Sequence, residues 1–323
     1  MTLEKNRDMY VNAIAHYLPA GRVPNSYFKS INGLDDEWIF SRTGIRTRSK
    51  AGDGENTNTM AVEAVRALER QLGSPLSGID LIVTGTYSPH DTVFTASHVV
   101  QRVFRLDGAR CLTVSSACSS LINALEIAGM YIAAGRISRA LVIASEHNSA
   151  YARESCPQSG HLWGDGAVAM LVSTTVFGRK PALVSSVYTR GLGHAGKADT
   201  AVHLRPLLDG ISMPGGRDVF INACHYMVEA LERVTADRGL TINDLSFIAT
   251  HQANKRIMDA IARQVGVPAS SMLSDIEELG NTGCPSCGIA LSRGLERVKS
   301  GDLVALTVFG GGYSCGAALL EFL

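Results

Sequence analysis

Hydrophobic positions follow two alternating patterns along this chain. In residues 59–73 and 119–134, apolar side chains recur at spacings of three and four, which predicts helices packed on one face. Residues 79–84 and 141–144 are instead short apolar runs, which predict strands buried on both faces. Strands that alternate with helices are typical of α/β proteins, so we expect mostly parallel sheets covered by helices.

The second part of the chain repeats the first. An offset of 166 residues places Val62-Glu63-Ala64 on Val228-Glu229-Ala230 and Cys118 on Cys284. In the same order, a second helix, strand, helix and strand are predicted at residues 221–237, 245–250, 285–299 and 303–309. A period this long favours two similar α/β halves, residues 1–178 and 179–323, over a solenoid. Two such halves side by side predict a layered sandwich with its site where they meet.

Composition excludes several classes of function. The 323 residues include 30 basic and 30 acidic side chains, so there is no net charge to attract nucleic acid or an anionic membrane. No stretch reaches the roughly 18 apolar residues of a membrane span. The charged residues Glu4, Lys5, Arg7 and Asp8 argue against a signal peptide. We therefore expect a cytoplasmic protein that binds neither nucleic acid nor membrane.

The seven cysteines do not form a secreted-domain pattern, and their odd number favours reduced thiols. Cys284 and Cys287 have Cys-x-x-Cys spacing, but no second pair or histidine stands at ligand spacing from them. We expect both to be small residues that pack a turn, and we expect no metal.

Three short segments, far apart in sequence, combine the residue types of thioester chemistry. Cys118 lies in a run of serine and alanine, His251 follows a predicted strand, and Asn281 lies in a glycine-rich turn. A thiolate can attack an acyl thioester, while two neutral donors hold the charge that develops on a second one. Cys118 also precedes a predicted helix, whose N-terminus would favour the thiolate.

Each of these residues also has a purely structural interpretation. Cys118 could be a buried cysteine, His251 a core or solvated histidine, and Asn281 a turn residue that tolerates left-handed geometry. The segment Gly310-Gly311-Gly312 could be a tight turn, or it could bring a backbone N–H close to a bound carbonyl.

Taken together, the segments resemble β-ketoacyl-acyl-carrier-protein synthase III, a family of thiolase-fold condensing enzymes. The motifs that carry the resemblance occur in family order over essentially the whole chain: Asp36-Glu37-Trp38-Ile39, Arg42-Thr43-Gly44-Ile45-Arg46, the segment around Cys118, Gly164-Asp165-Gly166-Ala167, His251-Gln252-Ala253-Asn254, Gly280-Asn281-Thr282 and Phe309-Gly310-Gly311-Gly312. The resemblance implies a thiolase-like fold, in which the two duplicated halves form an α-β-α-β-α sandwich.

The resemblance also implies a role for each site residue. Cys118 would take an acyl group from an acyl-CoA, and His251 and Asn281 would bind a malonyl thioester, carried by acyl-carrier protein, and stabilise its enolate. The backbone N–H groups of Cys118 and Gly311 would form the oxyanion hole. Coenzyme A enters as a substrate rather than a cofactor, and its nucleotide end would be held by Trp38, Arg42 and Arg256.

The chain departs from the usual family pattern at two places. Ser119, Ser120 and Leu121 follow the nucleophile where a small residue, glycine and phenylalanine are common, and Gly283-Cys284 stands where serine and alanine are more usual. Both places are expected near the acyl pocket, so the acyl chain stays open. Two other functions also stay open: a thiolase-fold acyltransferase to oxygen or nitrogen, and a catalytically silent partner subunit.

The resemblance further implies a homodimer. The apolar run 112–114 before Cys118 is a plausible edge that a second chain would cover. In the family, a residue of the loop at 87–95 reaches into the neighbouring subunit's acyl pocket, and Phe94 is the candidate here. Alternatively, Phe94 packs within its own chain.

Overall fold

The computed structural model describes residues 7–323, in which helices and strands alternate along the chain. The helices are α1 (Phe28–Asn32), α2 (Asp36–Thr43), α3 (Thr57–Leu72), α4 (Ala96–Val103), α5 (Ser120–Ala133), α6 (Gly216–Ala236), α7 (Lys255–Val265), α8 (Ile276–Leu279) and α9 (Ser286–Gly294). The strands are β1 (Tyr10–Tyr17), β2 (Gly21–Pro24), β3 (Thr47–Lys50), β4 (Leu81–Gly85), β5 (Arg110–Val114), β6 (Arg139–His147), β7 (Asp165–Ser173), β8 (Ala182–Gly191), β9 (His203–Arg205), β10 (Gly210–Ser212), β11 (Phe247–Thr250), β12 (Met272–Leu273), β13 (Leu303–Gly310) and β14 (Ser314–Phe322).

Ten of these strands form one sheet, in the order β12-β11-β13-β14-β8-β1-β7-β6-β4-β5. Its two five-stranded parts join between β1 and β8, where the register pairs Tyr10 with Leu183 and Val11 with Ala182. Outward from this seam, β8, β14, β13, β11 and β12 repeat the order of β1, β7, β6, β4 and β5. The predicted duplication is confirmed, and residue 178 lies in the connection between β7 and β8.

Helices cover both faces of each part and fill the space between them. Helices α5 and α9 lie in the centre, where Leu121 and Ile289 share one core with residues of both parts of the sheet. Helices α3 and α4 cover the outside of the first part, and α6 and α7 cover the outside of the second. Neighbouring residues of β6 face different cores, since Val142 joins the central core and Leu141 the outer one. The fold is the predicted α-β-α-β-α sandwich.

Two details differ from the sequence-based expectation. The sheet is only partly parallel: β4 pairs parallel with β5 and β6, whereas β7 pairs antiparallel with β6 and β1. The second half also contains an antiparallel pair, β13 with β14. A short turn joins these two strands, and strands joined by a short turn run antiparallel. The helix predicted at 285–299 ends at Gly294, and a 3₁₀ turn, Leu295–Arg297, follows it.

Residues 7–323 contain neither a membrane-spanning helix nor a metal-binding cluster of side chains. In that range, every helix is too short or too polar to cross a bilayer. The same residues contain no group of three or more His, Cys, Asp or Glu side chains arranged to hold a metal ion. Cys284 and Cys287 are free, buried thiols in the central core. Glu4 and Lys5, on which part of the expectation about a signal peptide rests, lie outside the described residues.

Candidate active site

Cys118 stands in a tight turn between β5 and the start of α5. Ala117 has a φ of 48°, a left-handed backbone conformation that residues other than glycine rarely adopt. Hydrogen bonds fix the turn around it. The Ser119 N–H donates to the Ser116 carbonyl at 3.2 Å, and the Ser120 hydroxyl donates to the Ala117 carbonyl at 2.6 Å. The turn therefore holds the half-buried Cys118 in a defined place.

The residues that depart from the family pattern after Cys118 support this turn. The Ser119 hydroxyl lies 2.8 Å from that of Ser314, and Leu121 is buried in the central core. Neither residue lines the cavity in front of Cys118. The expectation that this departure bears on the acyl pocket stays a prediction.

His251 follows β11 and is buried and fixed. Its N–H donates to the Thr307 carbonyl at 2.7 Å, and its Nδ1 lies 2.8 Å from the Ser286 hydroxyl. Burial lowers the pKa of His251 to about 4, although a hydrogen bond with the Gly283 backbone acts in the other direction. The imidazole is therefore neutral near pH 7, and His251 lines the cavity.

Asn281 follows α8 in the turn that the sequence marks with glycines. Its N–H donates to the Leu162 carbonyl at 2.8 Å, and its own carbonyl accepts from the Gly164 N–H at 2.9 Å. The side-chain Oδ1 accepts from the Gly283 N–H at 3.0 Å. Because Oδ1 is engaged within the turn, the Nδ2 amino group is the part of Asn281 that can donate into the cavity.

The three predicted catalytic residues line one cavity of about 30 Å³, together with Gly310 and Gly311. Gly310 ends β13 and packs directly on the nucleophile turn, since a Cβ atom at this position would lie 2.7 Å from the Cys118 nitrogen. The N–H groups of Cys118 and Gly311 both approach the Cys118 sulfur. The two backbone donors predicted for the oxyanion hole are thus together beside the reactive atom.

The apolar wall of this cavity was not predicted from the sequence. It is formed by Trp163, Val202, Met213, Val219, Ala223, Met227, Ala253, Ile257 and Phe309. Val219, Ala223 and Met227 are spaced by four on α6 and so share one helix face. That spacing is visible in the sequence, but a face packed in the core has the same pattern.

The start of α5 does not by itself make Cys118 a thiolate. Burial raises the pKa of Cys118 to about 12, and the nearby Glu146 carboxyl adds to the rise. The nearby Tyr87 phenol and the Gly311 and Cys118 N–H groups lower the pKa, but by less. The helix N-terminus stabilises the thiolate by less than the free energy that it costs to remove the thiolate charge from water. The expected effect of the helix on the pKa is therefore outweighed.

A second cavity, of about 340 Å³, brings together the residues predicted to hold coenzyme A. Trp38, Arg42 and Arg256 all line it, and the Arg42 guanidinium lies 4.3 Å from the Trp38 ring centre. Arg217, which was not predicted, adds a third guanidinium. Met213 lines both cavities, so the cationic cavity adjoins the one at Cys118.

Asn254, the N-cap residue of α7, connects the segment that carries Arg42 to the segment that carries Arg256. The Asn254 amide donates to the Arg42 carbonyl at 3.0 Å, while its Oδ1 accepts from the Arg256 N–H at 2.8 Å. Asn254 therefore links the end of α2, in the first half of the chain, to the start of α7 in the second. The proximity of Arg42 and Arg256 follows from this link.

Phe94 lines neither cavity. It lies in the loop between β4 and α4 with 42% of its surface exposed, and its ring centre is 6.1 Å from that of His98. Val93 beside it is 84% exposed. The predicted edge is confirmed, since β5 is the last strand of the sheet. The contact of Phe94 with a neighbouring subunit stays a prediction.

Comparison with known proteins places these observations in a family. The family described as 3-oxoacyl-[acyl-carrier-protein (ACP)] synthase III matches residues 112–191, and its C-terminal part matches residues 235–322. The first match contains Cys118, and the second contains His251 and Asn281.

Similar proteins span nearly the whole chain. The β-ketoacyl-[acyl-carrier-protein] synthase III of Rhizorhabdus wittichii is 32% identical over 315 residues, which cover 94% of this chain and 96% of that protein. The structure of 3-oxoacyl-[acyl-carrier-protein] synthase III from Aquifex aeolicus superposes with a TM-score of 0.90 at 30% identity, covering 97% of this chain and 99% of that one. A priming β-ketosynthase of a polyketide biosynthetic pathway superposes with a TM-score of 0.89 at 29% identity, covering 99% and 98%. The chain belongs to the β-ketoacyl-[acyl-carrier-protein] synthase III family.

Proposed function

We propose that this chain catalyses a decarboxylative Claisen condensation between an acyl group carried on Cys118 and a malonyl thioester. The observation that carries the proposal is the shared cavity, in which the Cys118 sulfur meets a neutral imidazole and the Asn281 amide. Membership of a family of condensing enzymes supports the same reaction. Fatty acid synthesis or the priming step of a specialised pathway would use it.

The first half-reaction transfers the acyl group. The Cys118 thiol gives up its proton and its sulfur attacks the carbonyl carbon of an acyl-CoA. The new carbon–sulfur bond forms, the bond to the coenzyme A sulfur breaks, and the departing coenzyme A thiolate takes up a proton. The N–H groups of Cys118 and Gly311 hold the negative oxygen of the tetrahedral intermediate. The guanidinium groups of Arg42, Arg217 and Arg256 supply positive charge for the phosphates of coenzyme A, which serves as a substrate.

The second half-reaction needs donors rather than a base. His251 and Asn281 donate hydrogen bonds to the thioester carbonyl of the malonyl group. The bond between its α-carbon and its carboxylate breaks, carbon dioxide leaves, and the electrons of that bond stay on the substrate as an enolate. The enolate attacks the acyl carbonyl on Cys118, and the Cys118 thiolate leaves. Decarboxylation itself creates the carbanion, so neutral donors suffice. The names of the relatives point to acyl-carrier protein as the malonyl carrier.

Glu146 and Cys284 lie near Cys118, and an acid and a second cysteine are the groups that a proton-abstracting reaction without decarboxylation would use. The geometry argues against it, because the Cys284 thiol donates to Glu146 Oε1 at 2.8 Å and neither residue lines the cavity. Transfer to oxygen or nitrogen is disfavoured by the condensing family. The convergence of Cys118, His251 and Asn281 is not expected of a silent subunit.

Mass spectrometry after mixing with a panel of acyl-CoAs tests the nucleophile. We expect one acyl group per chain on wild type and on Cys156→Ala, and none on Cys118→Ala. Cys156 is a matched control because it is a free, half-buried thiol outside both cavities. An adduct of equal yield on Cys118→Ala would refute the assignment. The panel also identifies the acyl chain.

Release of carbon dioxide from malonyl-carrier protein tests the second half-reaction. Loss of one oxyanion donor typically costs about a hundred- to a thousand-fold, so Asn281→Ala should lose most decarboxylation. The same variant should still accept an acyl group on Cys118, and Asn243→Ala, at an exposed site, should behave as wild type. Normal decarboxylation without acylation in Asn281→Ala would reverse the division of labour.

A further inference from the structure

Tyr87 presents a buried phenol that the condensation described above does not use. It follows β4, whose pairing with β5 places it next to the turn of Cys118: the Thr86 N–H donates to the Val114 carbonyl at 3.0 Å. The Tyr87 hydroxyl is buried, and no described residue meets hydrogen-bond geometry with it. A buried hydroxyl without a hydrogen-bond partner is destabilising, so its placement calls for an explanation.

The Cys118 sulfur and Gly283 are the neighbours of this hydroxyl. The phenol lies close enough to Cys118 for each group to influence the ionisation of the other. On its other side, a Cβ atom at position 283 would overlap the Tyr87 oxygen, so the absence of a side chain there makes room for the phenol. Position 283 is one of the places where serine is more usual in the family.

The backbone of Tyr87 is held in place by Glu146 at the end of β6. Its carboxylate accepts from the Tyr87 N–H at 3.1 Å and from the Ser88 N–H at 3.0 Å. Cys284, at the other unusual position, donates its thiol proton to the same carboxylate at 2.8 Å. The two departures at 283 and 284 therefore belong to one cluster, which positions the phenol beside the nucleophile.

We propose that Tyr87 is a further catalytic residue, whose phenol O–H donates a hydrogen bond to the Cys118 sulfur and stabilises the attacking thiolate. This inference rests on the proposed role of Cys118 as the nucleophile. A thiol is a weak acceptor and a thiolate a strong one, so the donor favours the charged form. Burial, together with the negative charges that Cys118 and Glu146 carry when ionised, raises the pKa of Tyr87 well above its usual value, so the phenol keeps its proton.

The other titratable groups around Cys118 do not supply this effect. Glu146, on β6, raises the pKa of Cys118, and Cys284 carries its own proton toward Glu146. His251, after β11, is neutral because burial lowers its pKa to about 4. Among side chains, the phenol is thus the donor that opposes burial at Cys118, together with the backbone N–H groups of the turn.

The rate of Cys118 alkylation by iodoacetamide, followed by peptide mass spectrometry from pH 6 to 10, measures the thiolate fraction without any acyl-CoA. A hydrogen bond to a charged group is worth about 1.5–3 kcal/mol, or roughly one to two pH units. We expect Tyr87→Phe to alkylate about tenfold or more slowly at each pH below the midpoint. Tyr10→Phe, which removes an exposed phenol that donates to Asp8, should match wild type.

An alkylation profile of folded Tyr87→Phe equal to that of wild type would overturn the inference. If Tyr87→Phe does not fold, 3-fluorotyrosine at position 87 keeps the side chain and makes its phenol a stronger donor. Alkylation should then be faster than in wild type, and an equal or slower rate would also overturn the inference. If acyl-CoA failed to acylate Cys118, the proposed function would instead be refuted. The alkylation result would still test Tyr87, because iodoacetamide reacts with Cys118 without acyl-CoA.

Discussion

At the scale of single residues, Glu146 shows how a buried carboxyl can hold a site that it does not enter. Besides Cys284 and the backbone of Tyr87, it accepts from the Thr86 hydroxyl at 3.0 Å and from the Ser88 hydroxyl. Even with these donors, burial raises the pKa of Glu146 to about 7. The carboxyl fixes the segment 86–88 and thereby the phenol beside Cys118.

The raised pKa of Glu146 predicts a pH dependence of stability. The unfolded carboxyl releases its proton near its ordinary pKa of 4.5, whereas the folded one keeps it to about pH 7. The folded state therefore binds more protons in this window, and stability falls as the pH rises through it, by about 3 kcal/mol. Urea unfolding at pH 5, 6, 7 and 8, at fixed protein concentration, should show this decline in wild type relative to Glu146→Gln. Parallel curves for the two proteins would contradict it.

Sequence reasoning found Cys118, His251 and Asn281 because each stands in a short motif at the end of a predicted element. Tyr87 and Glu146 carry no such motif. Their interaction joins the ends of β4 and β6 to the turn before α9, and only the folded chain brings these together. Arg217 was not predicted, for the same reason: its position beside Arg42 and Arg256 depends on how α6 packs near α2 and α7.

At the scale of elements, periodicity predicted helices α3 and α5 to within two residues at each end. Strand directions were harder, because parallel and antiparallel strands buried on both faces have the same apolar runs. The turns carry the remaining information. The turn at 280–283 uses φ values of 67° at Gly280 and 75° at Gly283, and so aims Asn281 into the cavity.

The turn at Gly283 offers a prediction with a matched control. Alanine at 283 adopts a strained left-handed φ and also crowds the Tyr87 hydroxyl and Glu146 Cγ, which would lie 2.9 Å away. Alanine at 266, after α7, meets the same φ of 75° with nothing within 4 Å. We expect about 1–2 kcal/mol of destabilisation in Gly266→Ala and at least about 1 kcal/mol more in Gly283→Ala. Equal unfolding free energies for the two variants would show that position 283 is not crowded.

At the scale of the whole molecule, duplication explains why the site is assembled from distant segments. Cys118 comes from the first half, and His251, Asn281 and Gly311 come from the second. Gly310 lets the two halves touch at the nucleophile turn. The duplication also gives the sheet two unequal ends. Strand β12 has two residues, both buried, whereas the five residues of β5 are all exposed or half-buried.

The free edge at β5 predicts a two-fold symmetric dimer. Its apolar residues Leu112 and Val114 are only partly covered, and the exposed Val93, Phe94 and Val103 lie on the neighbouring loop and helix α4. An uncovered edge strand exposes backbone donors and acceptors that a second copy can pair, and an obligate interface buries more than roughly 2,000 Å². Sedimentation equilibrium at low concentration should give a dimer for wild type and for the exposed control Asn243→Lys. Thr113→Lys, whose charge would recur across the two-fold axis, should give monomers with reduced condensation. A monomer with full activity would refute the dimer, and with it the role of Phe94 in selecting the neighbour's acyl chain.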